Sequence, residues 1–507
     1  MRGNTRRQFS WSSGRIRSTQ ITRTFLSRLL LIVAIPIYLG SLPQACGGGG
    51  RAPATNLESI TIDPVNSSIA AVGTKVQLPP TSTGTATPTP TTSASATPTP
   101  VAGSAADFLN HIGVSSHVVQ SQTTCAQLQQ GVQFLGVKHV RDDFTCDGCD
   151  PRNLIANCFI PTHQVTGVTF DTLPNCVSGT TTASMAFLTS VDDEYAQAGA
   201  LDSVEECNEP NNQPFDYNGV NCGPGGGEYA GCAAFVQDFE AAVRADTNLN
   251  GIPVFSMTNP GAEGDNVGLQ FLVNPTTGKT QAEFATLHNY IFGNSSGSGQ
   301  IDNNAWFPYE NTGSMGAWDS MDGEFCNKTF AFGFRATPET QCPTIPRATT
   351  ETGWPSGGGG VSEDARGKMI INGIASAYAR GVYRVYTYQL NDAADSFGQY
   401  DGNFNPKLSA VYWHNMSTIL ADSNGNFPVT TVPVTVTGIS STDHWFEVQK
   451  SDRTHWLVIW ADRPSGELSE NISLNVTPKA VFDPTMGTAS TGTALPALVD
   501  HMIIVEF

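Results

Sequence analysis

The sequence has few positive charges. It contains 26 Lys and Arg against 45 Asp and Glu in 507 residues, and seven of the Arg lie in the first 45 positions, where no acidic residue occurs. Without that segment, 19 basic residues (26 less 7) face 45 acidic ones, a net charge of −26. A surface of this charge repels phosphate backbones, so we expect no nucleic-acid partner.

A long hydrophobic run is also missing. The apolar stretch Leu29–Leu42 is interrupted by Pro36 and Gly40 and is shorter than the roughly 20 residues of a membrane-spanning helix. We therefore predict that residues 1–45 are a signal peptide. The following Leu42-Pro43-Gln44-Ala45-Cys46 resembles a bacterial lipoprotein signal, which implies lipidation of Cys46 and a membrane anchor there. Simple cleavage and an uncleaved anchor are the alternatives, and Thr5–Phe9 also resembles a twin-arginine signal.

Metal-binding and cofactor-binding motifs are absent from the sequence. The nine His show no His-Glu-x-x-His spacing, and the Asp-rich loops lack the order of a calcium-binding loop. We predict neither a metal nor a cofactor. Gly293-Asn294-Ser295-Ser296-Gly297 fits the Gly-x-Ser-x-Gly pattern of esterases, but the residues after it are poor helix formers. A nucleophile elbow leads straight into a helix, so we interpret this segment as a turn.

Cysteine is well represented, with eleven residues. Ten remain besides Cys46, and an even number in an exported chain predicts up to five disulfides of undetermined connectivity. They are Cys125, Cys146, Cys149, Cys158, Cys176, Cys207, Cys222, Cys232, Cys326 and Cys342. Cys146 and Cys149 have the spacing of a redox motif, but nothing around them resembles a thioredoxin fold, so we interpret them as structural. Cell-surface, periplasmic and secreted locations all fit this composition.

Four segments follow from the sequence pattern. Residues 46–104 are predicted to be a tether, since Thr81–Pro100 is almost wholly Thr, Ser, Ala and Pro. Within it, residues 57–64 and 73–78 resemble the opening strands of a bacterial Ig-like repeat. Residues 105–425 alternate between strand-like and helix-like segments, which is typical of parallel α/β folds. Residues 427–507 contain alternating strands separated by turns, which indicates a small antiparallel β-sandwich.

Eight strand–helix units over about 320 residues predict a (β/α)8 barrel. A doubly wound sheet is the competing topology, but no glycine-rich phosphate motif follows the first strand. The predicted strands are 112–118, 139–144, 184–189, 201–208, 252–258, 285–291, 348–352 and 382–390. The helices singled out are 125–135, 231–245, 362–380 and 407–420. In the sandwich, strands are predicted at 430–436, 444–449, 456–460, 472–476 and 502–507, with a structural role or, alternatively, carbohydrate binding.

The ends of the fourth and seventh predicted strands carry the chemistry. The fourth ends in Glu205-Glu206-Cys207-Asn208-Glu209-Pro210, and the seventh in Glu351-Thr352-Gly353-Trp354. Cleavage of a glycosidic bond needs one protonated carboxyl and one ionised carboxylate. In a barrel, residues at the strand ends converge on one face, so these Glu can flank one bond. Glu205 and Glu206 are rivals for the acid role, but strand alternation and the position before Pro210 favour Glu209.

At these motifs the sequence resembles clan A retaining glycoside hydrolases, over roughly residues 105–425. The resemblance implies that Glu209 is the acid/base and Glu351 the nucleophile. It further implies that Arg141 contacts the nucleophile, that Asn208 binds a sugar 2-hydroxyl, and that His288 and Tyr290 belong to the site. We expect substrate contacts from further side chains near the strand ends: His117, Trp306, Trp354 and Tyr388, with Trp318 as another candidate for stacking on sugar rings.

We therefore expect an exported, monomeric glycosidase that cleaves β-linked neutral oligo- or polysaccharides by double displacement. The motif Glu351–Ser356 also resembles plant-type endo-β-1,3-glucanases, which favours an endo-acting β-glucanase. Two alternatives remain. A transglycosylase would use the same residues, and a non-catalytic glycan-binding lipoprotein would keep the barrel without turnover.

Overall fold

The computed structural model describes residues 102–144, 151–174, 176, 185–210, 213–223, 230–258, 281–288, 346–356, 361–392, 396–422, 424–440, 443–461 and 471–507. The predictions for the leader, Cys46, the tether up to 101, Ser295, Tyr290, Trp306 and Trp318 lie outside these residues. Among the described residues, no helix is both long and apolar enough to cross a membrane.

The strands and helices alternate along most of the described chain. The strands are β1 (Ala102–Ser104), β2 (Ile112–Ser115), β3 (His139–Asp143), β4 (Thr169–Leu173), β5 (Leu201–Glu205), β6 (Phe215–Tyr217), β7 (Val220–Cys222), β8 (Val254–Phe255), β9 (Ala285–His288), β10 (Arg347–Thr352), β11 (Val382–Thr387), β12 (Val436–Thr437), β13 (Asp443–Gln449), β14 (His455–Ala461), β15 (Ser473–Leu474), β16 (Ala480–Phe482) and β17 (Ile503–Glu506). The helices are α1 (Ala105–Asn110), α2 (Cys125–Leu135), α3 (Pro151–Leu154), α4 (Ile160–Thr166), α5 (Met185–Gln197), α6 (Ala230–Ala245), α7 (Glu363–Ala379) and α8 (Leu408–Ile419), with a π-helical turn at Ile155–Phe159 between α3 and α4.

Eight parallel strands form a barrel. Their order in the sheet is β8-β5-β4-β3-β2-β11-β10-β9. The two edges meet, because Phe255 pairs with Phe284 and the Ser256 N–H donates to the Phe284 carbonyl at 3.0 Å. This closure confirms the predicted (β/α)8 barrel and rules out the doubly wound sheet. Barrel strands one to eight are thus β2, β3, β4, β5, β8, β9, β10 and β11.

Local signals account for the helix ends. Thr124 caps α2 through a capping box with Gln127, and Gly136 ends the helix in a left-handed conformation with φ of 74°. Ser362 caps α7 by accepting from the Ala365 N–H. These caps satisfy backbone groups that a helix end otherwise leaves unpaired. They explain why the predicted helix 125–135 has the observed bounds.

The third barrel strand was predicted wrongly at 184–189. The strand is β4, and residues 185–189 of the predicted segment belong to helix α5. The strand β4 contains two polar residues, Asp171 and Thr172, so its sequence does not read as an apolar run. Asp171 is nevertheless accommodated inside the barrel, because Ser203 Oγ donates to it at 2.6 Å. In α5, Leu188, Val191 and Tyr195 are buried at helical spacing, which is the pattern the strand prediction missed.

A five-stranded sheet, in the order β1-β13-β14-β17-β16, forms the C-terminal layer beside the barrel. Alternate residues of β14 bury opposite faces: Val458 and Trp460 pack with the barrel helices, and Leu457 and Ile459 pack in a second apolar cluster with Val436 and its neighbours. The Trp residues of β13 and β14 are buried here, so they present no exposed sugar-binding platform.

Two boundaries differ from the sequence pattern. β1, predicted to end the tether, pairs in parallel with β13, with Ala102 opposite Glu447. Residues 430–435 were predicted as a strand but form none, because side chains replace a neighbouring backbone as acceptors: the Thr430 N–H donates to Gln449 Oε1 at 2.8 Å and the Val432 N–H to Glu447 Oε1 at 3.1 Å. A short ribbon of β12 and β15 takes that place.

Three disulfides join described cysteines. They are Cys125–Cys158, Cys176–Cys207 and Cys222–Cys232. Cys146, Cys149, Cys326 and Cys342 lie outside the described residues. Disulfides persist in oxidising compartments, so these bridges indicate an exported protein.

Candidate active site

Glu209 is held in a fixed turn just beyond β5. Asn208 pairs with Thr258, and the Glu209 N–H donates to the Thr258 carbonyl at 2.8 Å, so the pairing with the neighbouring strand continues past the end of β5. Glu209 itself has φ of 39°, a left-handed conformation that is rare for a residue with a Cβ. Such strain is concentrated at functional positions. The turn leaves the Glu209 side chain buried, 1% exposed, at the mouth of the barrel.

Glu351 lies on the seventh barrel strand, paired in register with His288 on the sixth. A carboxyl oxygen of each Glu and a ring nitrogen of His288 all lie within 4.8 Å of one another. The structure therefore brings the two carboxyls together across the barrel mouth, although they are far apart in the chain. This spacing is close to the roughly 5–5.5 Å of a retaining pair and leaves too little room for the water of an inverting one.

Arg141 fixes the nucleophile candidate from the second barrel strand. Its Nη1 donates to Glu351 Oε1 at 2.7 Å, and its Nε and Nη2 donate to Glu205 at 2.6 and 3.1 Å. Nη2 also donates to Asn208 Oδ1 at 2.9 Å. One guanidinium therefore orients three residues of the site, which a planar fork of donors allows and an ammonium does not. Burial would lower the pKa of Arg141, but Glu205 and Glu351 outweigh it and raise that pKa well above its usual value.

His288 joins the two carboxyls. Its Nδ1 lies 2.6 Å from Glu209 Oε1 and 3.4 Å from Glu351 Oε2. Burial opposes a charge on the ring, but Glu351 and Glu209 together raise the pKa of His288. One proton therefore lies between His288 Nδ1 and Glu209 Oε1. Arg141, the partner of Glu351, stays protonated, whereas His288, the partner of Glu209, can gain and release a proton. Only Glu209 therefore has a neighbour with which it can exchange a proton at 2.6 Å.

The rival carboxyls occupy other positions. Glu205 points inward but is bound by Arg141, and it also accepts from Thr258 Oγ1 at 2.9 Å. Glu206 points to the other side of β5, where its Oε2 accepts from the Met257 N–H at 2.7 Å. Burial raises the pKa of Glu206 to about 8. Strand alternation had favoured Glu209 over both, and the structure places these two away from the facing pair.

His117 and Tyr388 lie together beside the site, from the first and eighth barrel strands. Their rings meet edge to face at 5.1 Å. Burial, and then the charge of Arg141, lowers the pKa of His117 to about 4, so its imidazole is neutral. Tyr388 also packs edge to face on Phe397 at 5.5 Å.

Trp354 requires a correction, because the structure places it in the core. The indole is 1% exposed, and Gly373 of α7 lies so close that an added Cβ would be 3.3 Å from the ring. It packs between the seventh strand and the outer helix, where it has no face for a sugar. The glycine next to it in sequence, Gly353, allows the close approach of the Tyr388 carbonyl, 2.4 Å from where its Cβ would lie.

Sequence reasoning missed two polar residues near the site, Asp143 and Asp171, and it did not foresee that Glu205 binds Arg141. Asp171 lies 3.9 Å from Arg141 Nε, and burial followed by Glu205 raises its pKa well above the usual range. Asp143 is two residues beyond Arg141 on β3 and so shares its inward face. That spacing of two on one strand is the signal that could have identified it.

Glu209, His288 and Glu351 offer three ligand atoms close enough for a metal ion. The Arg141 guanidinium, at 2.7 Å from Glu351, already supplies a positive charge at this point. A second cation beside it would be repelled in a poorly solvated site. The donor set therefore suits proton transfer and attack better than metal binding.

No family model matches the chain, and no curated protein matches it. Among solved structures, a β-1,3-glucanosyltransferase mutant of Rhizomucor miehei in complex with laminaritriose is 12% identical, with a TM-score of 0.40, covering 59% of this chain and 96% of that one. An endo-β-1,6-glucanase is 10% identical, with a TM-score of 0.45, covering 81% and 95%. SrfJ from Salmonella typhimurium is 10% identical, with a TM-score of 0.43, covering 80% and 92%. At these identities, likeness assigns neither an activity nor a substrate to this chain.

Proposed function

We propose that the protein is a retaining glycoside hydrolase that cleaves β-linked neutral glycans by double displacement, with endo-action on a β-glucan as the preferred substrate class. The observation that carries this proposal is the approach of the Glu209 and Glu351 carboxyls within 4.8 Å, buried at the barrel mouth. A retaining mechanism first forms a bond between one carboxylate and the anomeric carbon and then hydrolyses it. Both steps require two carboxyls at about this distance.

The partners of each carboxyl support separate roles. Glu351 forms an ion pair with the permanently charged Arg141 guanidinium, which keeps its carboxylate ionised for attack. Glu209 shares a proton with His288 over 2.6 Å, as a group that first donates and later accepts a proton needs. In the first step Glu351 bonds to the anomeric carbon while Glu209 protonates the leaving oxygen. In the second step Glu209 takes a proton from a water molecule whose oxygen bonds to the anomeric carbon, and the bond between that carbon and Glu351 breaks to release the sugar and the Glu351 carboxylate.

The first experiment replaces Glu351 with Gln and Glu209 with Ala. We expect Glu351→Gln to abolish hydrolysis of 2,4-dinitrophenyl β-glycosides. Glu209→Ala should slow release of poor leaving groups by about 10²–10⁴-fold, with much less effect on the formation of the glycosyl-enzyme from the dinitrophenyl substrate. Added azide should restore turnover in the second variant as a β-glycosyl azide. Mass spectrometry after a 2-deoxy-2-fluoro glycoside should locate the label on Glu351.

An α-configured azide product, or labelling at another residue, would contradict the roles. Incubating the wild-type protein with a series of β-glucans, and measuring the new reducing ends that each one yields, identifies the polymer that it cleaves. The same reactions with an added acceptor sugar distinguish hydrolysis from glycosyl transfer, which uses the same two carboxyls.

We also propose that the mature chain is anchored through a lipid on Cys46. The support is the leader sequence and the run Leu42–Cys46, with the described disulfides as evidence of export. The mass of the mature N-terminal peptide distinguishes a lipidated Cys46 from simple cleavage.

A further inference from the structure

The turn that carries Glu209 lies between two neighbouring barrel strands, and each neighbour holds it by a different kind of contact. On one side the Glu209 N–H donates to the Thr258 carbonyl at 2.8 Å, so backbone pairing with the fifth barrel strand continues beyond β5. On the other side the ladder between β4 and β5 ends at Thr172, opposite Val204. Beyond that point a disulfide connects the ends of these two strands.

The disulfide joins Cys176 to Cys207. Cys176 follows the end of β4 by three residues, and Cys207 lies two residues after the end of β5 and two before Glu209. Their Cα atoms are 5.6 Å apart, close to the roughly 4.8 Å between neighbouring strands, and both side chains are buried. The bridge therefore keeps the two chain segments near sheet spacing immediately before the turn begins.

The turn needs this support because its backbone conformation is unfavourable. Glu209 has φ of 39°, yet the turn keeps its Oε1 at 2.6 Å from His288 Nδ1. Assistance by an acid depends on a carboxyl within hydrogen-bond reach of the leaving oxygen, and a displacement of about 1 Å can lower a rate by about 10²-fold. Movement of the chain after β5 would therefore displace the Glu209 carboxyl first.

The facing carboxyl is held by other contacts. Glu351 lies on β10 and accepts from Arg141 Nη1 at 2.7 Å. Arg141 in turn donates twice to Glu205, which lies within β5 and so before the segment that the disulfide joins. Of the four hydrogen bonds described for Arg141, one reaches a residue beyond Cys207, namely Asn208. Loss of the bridge should therefore affect the two carboxyls unequally.

Resting on the proposed function, we propose that Cys176 and Cys207 are positioning residues for the acid/base. Their disulfide holds Glu209 where it protonates the leaving oxygen and later takes a proton from water. The bridge thus contributes to the steps that move a proton, and much less to the attack by Glu351. A disulfide with a merely structural role would instead lower every activity by the same factor, through the fraction of folded protein.

A second disulfide provides a matched control. Cys125–Cys158 joins the start of α2 to the π-helical turn in the outer layer of the barrel. The sequence separations of the two bridges are 33 and 31, so they restrict the unfolded chain almost equally. Removing either bridge should lower Tm by a similar amount. A difference in catalysis between the two would then arise from where the bridge lies.

The test compares kcat/KM for the 2,4-dinitrophenyl and phenyl β-glycosides of the sugar that the wild type hydrolyses best. Dinitrophenolate leaves without a proton, whereas phenolate needs one. We expect Cys176→Ser combined with Cys207→Ser to lower kcat/KM by about 10- to 100-fold for the phenyl glycoside and by less than about threefold for the dinitrophenyl glycoside. Cys125→Ser combined with Cys158→Ser should change both values by the same factor.

Azide supplies a second readout. It attacks the glycosyl-enzyme without the help of a base, so it should raise turnover of the dinitrophenyl glycoside in the variant that lacks Cys176 and Cys207. The control variant and the wild type, in which Glu209 activates water, should respond much less. Labelling with a 2-deoxy-2-fluoro glycoside counts the functional Glu351 sites, so each rate is expressed per folded molecule.

If the double serine variant does not fold, the folded wild type is treated with increasing amounts of a phosphine reductant. Peptide mapping by mass spectrometry then follows the state of each disulfide. The ratio of the two kcat/KM values should change as Cys176–Cys207 opens and stay constant as Cys125–Cys158 opens.

Equal losses on both glycosides, or an unchanged ratio once the Cys176–Cys207 bridge is gone, would overturn the positioning role while the proposed function stands. A wild-type protein that hydrolyses no aryl β-glycoside and takes no label at Glu351 would overturn the proposed function and the positioning role together. A loss confined to the phenyl glycoside, with recovery of turnover by azide, supports both.

Discussion

Replacing Arg141 with Lys tests whether the fork of donors, and not only its charge, organises the site. Arg141 makes four hydrogen bonds to Glu205, Glu351 and Asn208 at 2.6–3.1 Å, three of them to carboxylates. A lysine keeps the charge but presents its donors from one atom, so it cannot reach both carboxylates and the amide together. We expect one or two of these bonds to be lost. At about 1.5–3 kcal/mol for a hydrogen bond to a charged group, the total loss is roughly 2–5 kcal/mol.

The lost hydrogen-bond energy should lower both the unfolding free energy and the stabilisation of the transition state. Urea unfolding should show Arg141→Lys to be destabilised, and kcat/KM on a dinitrophenyl glycoside, which needs no acid, should fall by about 10²-fold or more. Lys368, which binds Asp364 on α7 and Asp500 of the C-terminal layer, supplies the control in the reverse direction, Lys368→Arg. If Arg141→Lys keeps both its unfolding free energy and kcat/KM within twofold of wild type, the fork has no organising role.

Two further predictions concern one carboxyl and one histidine outside the facing pair of Glu209 and Glu351. Glu206→Gln should keep kcat within about threefold, because the Glu206 carboxyl faces the Met257 N–H and its pKa of about 8 leaves it largely protonated at neutral pH; a loss of 10²-fold or more on a poor leaving group would return Glu206 to the acid role. His501 binds Asp483 and Asp500, which oppose the effect of burial and raise its pKa to about 9. Since the folded pKa lies above the unfolded value, this stabilisation of up to about 3 kcal/mol is complete below pH about 6.5 and disappears as pH rises through 9. The unfolding free energy should therefore fall between pH 7 and 10 in wild type and less so in His501→Gln; parallel curves would remove His501 from this role.

The barrel was predictable because its strands are short apolar runs separated by amphipathic helices. The exceptions have physical causes. β4 contains Asp171, an inward polar residue that needs Ser203 from the next strand, and no local pattern reveals that partner. β1 pairs with β13, more than 300 residues away, and only the tertiary structure supplies that contact.

The two facing Glu were predictable for a different reason. In a barrel the strand ends converge, so identifying the strands places the residues that follow them. What the sequence could not supply is the direction of each side chain once the chain leaves the strand. Trp354 follows Glu351 by three residues, yet it turns outward into the core against α7, whereas Glu351 faces the mouth.

The turn that carries Glu209 shows how the fold maintains an unfavourable local conformation. Pro210 disfavours a helical conformation for the residue before it, and Glu209 adopts a left-handed one. Three contacts fix this turn: the Cys176–Cys207 disulfide, the pairing of Asn208 with Thr258, and the Gln213 N–H donated to the Glu209 carbonyl at 2.8 Å. Strain of this kind costs about 1–3 kcal/mol, and a disulfide closing a loop of this size contributes about as much. These contacts hold the turn with the Glu209 carboxyl at hydrogen-bond distance from His288, which is the preorganisation that the proposed proton transfer in a buried site requires.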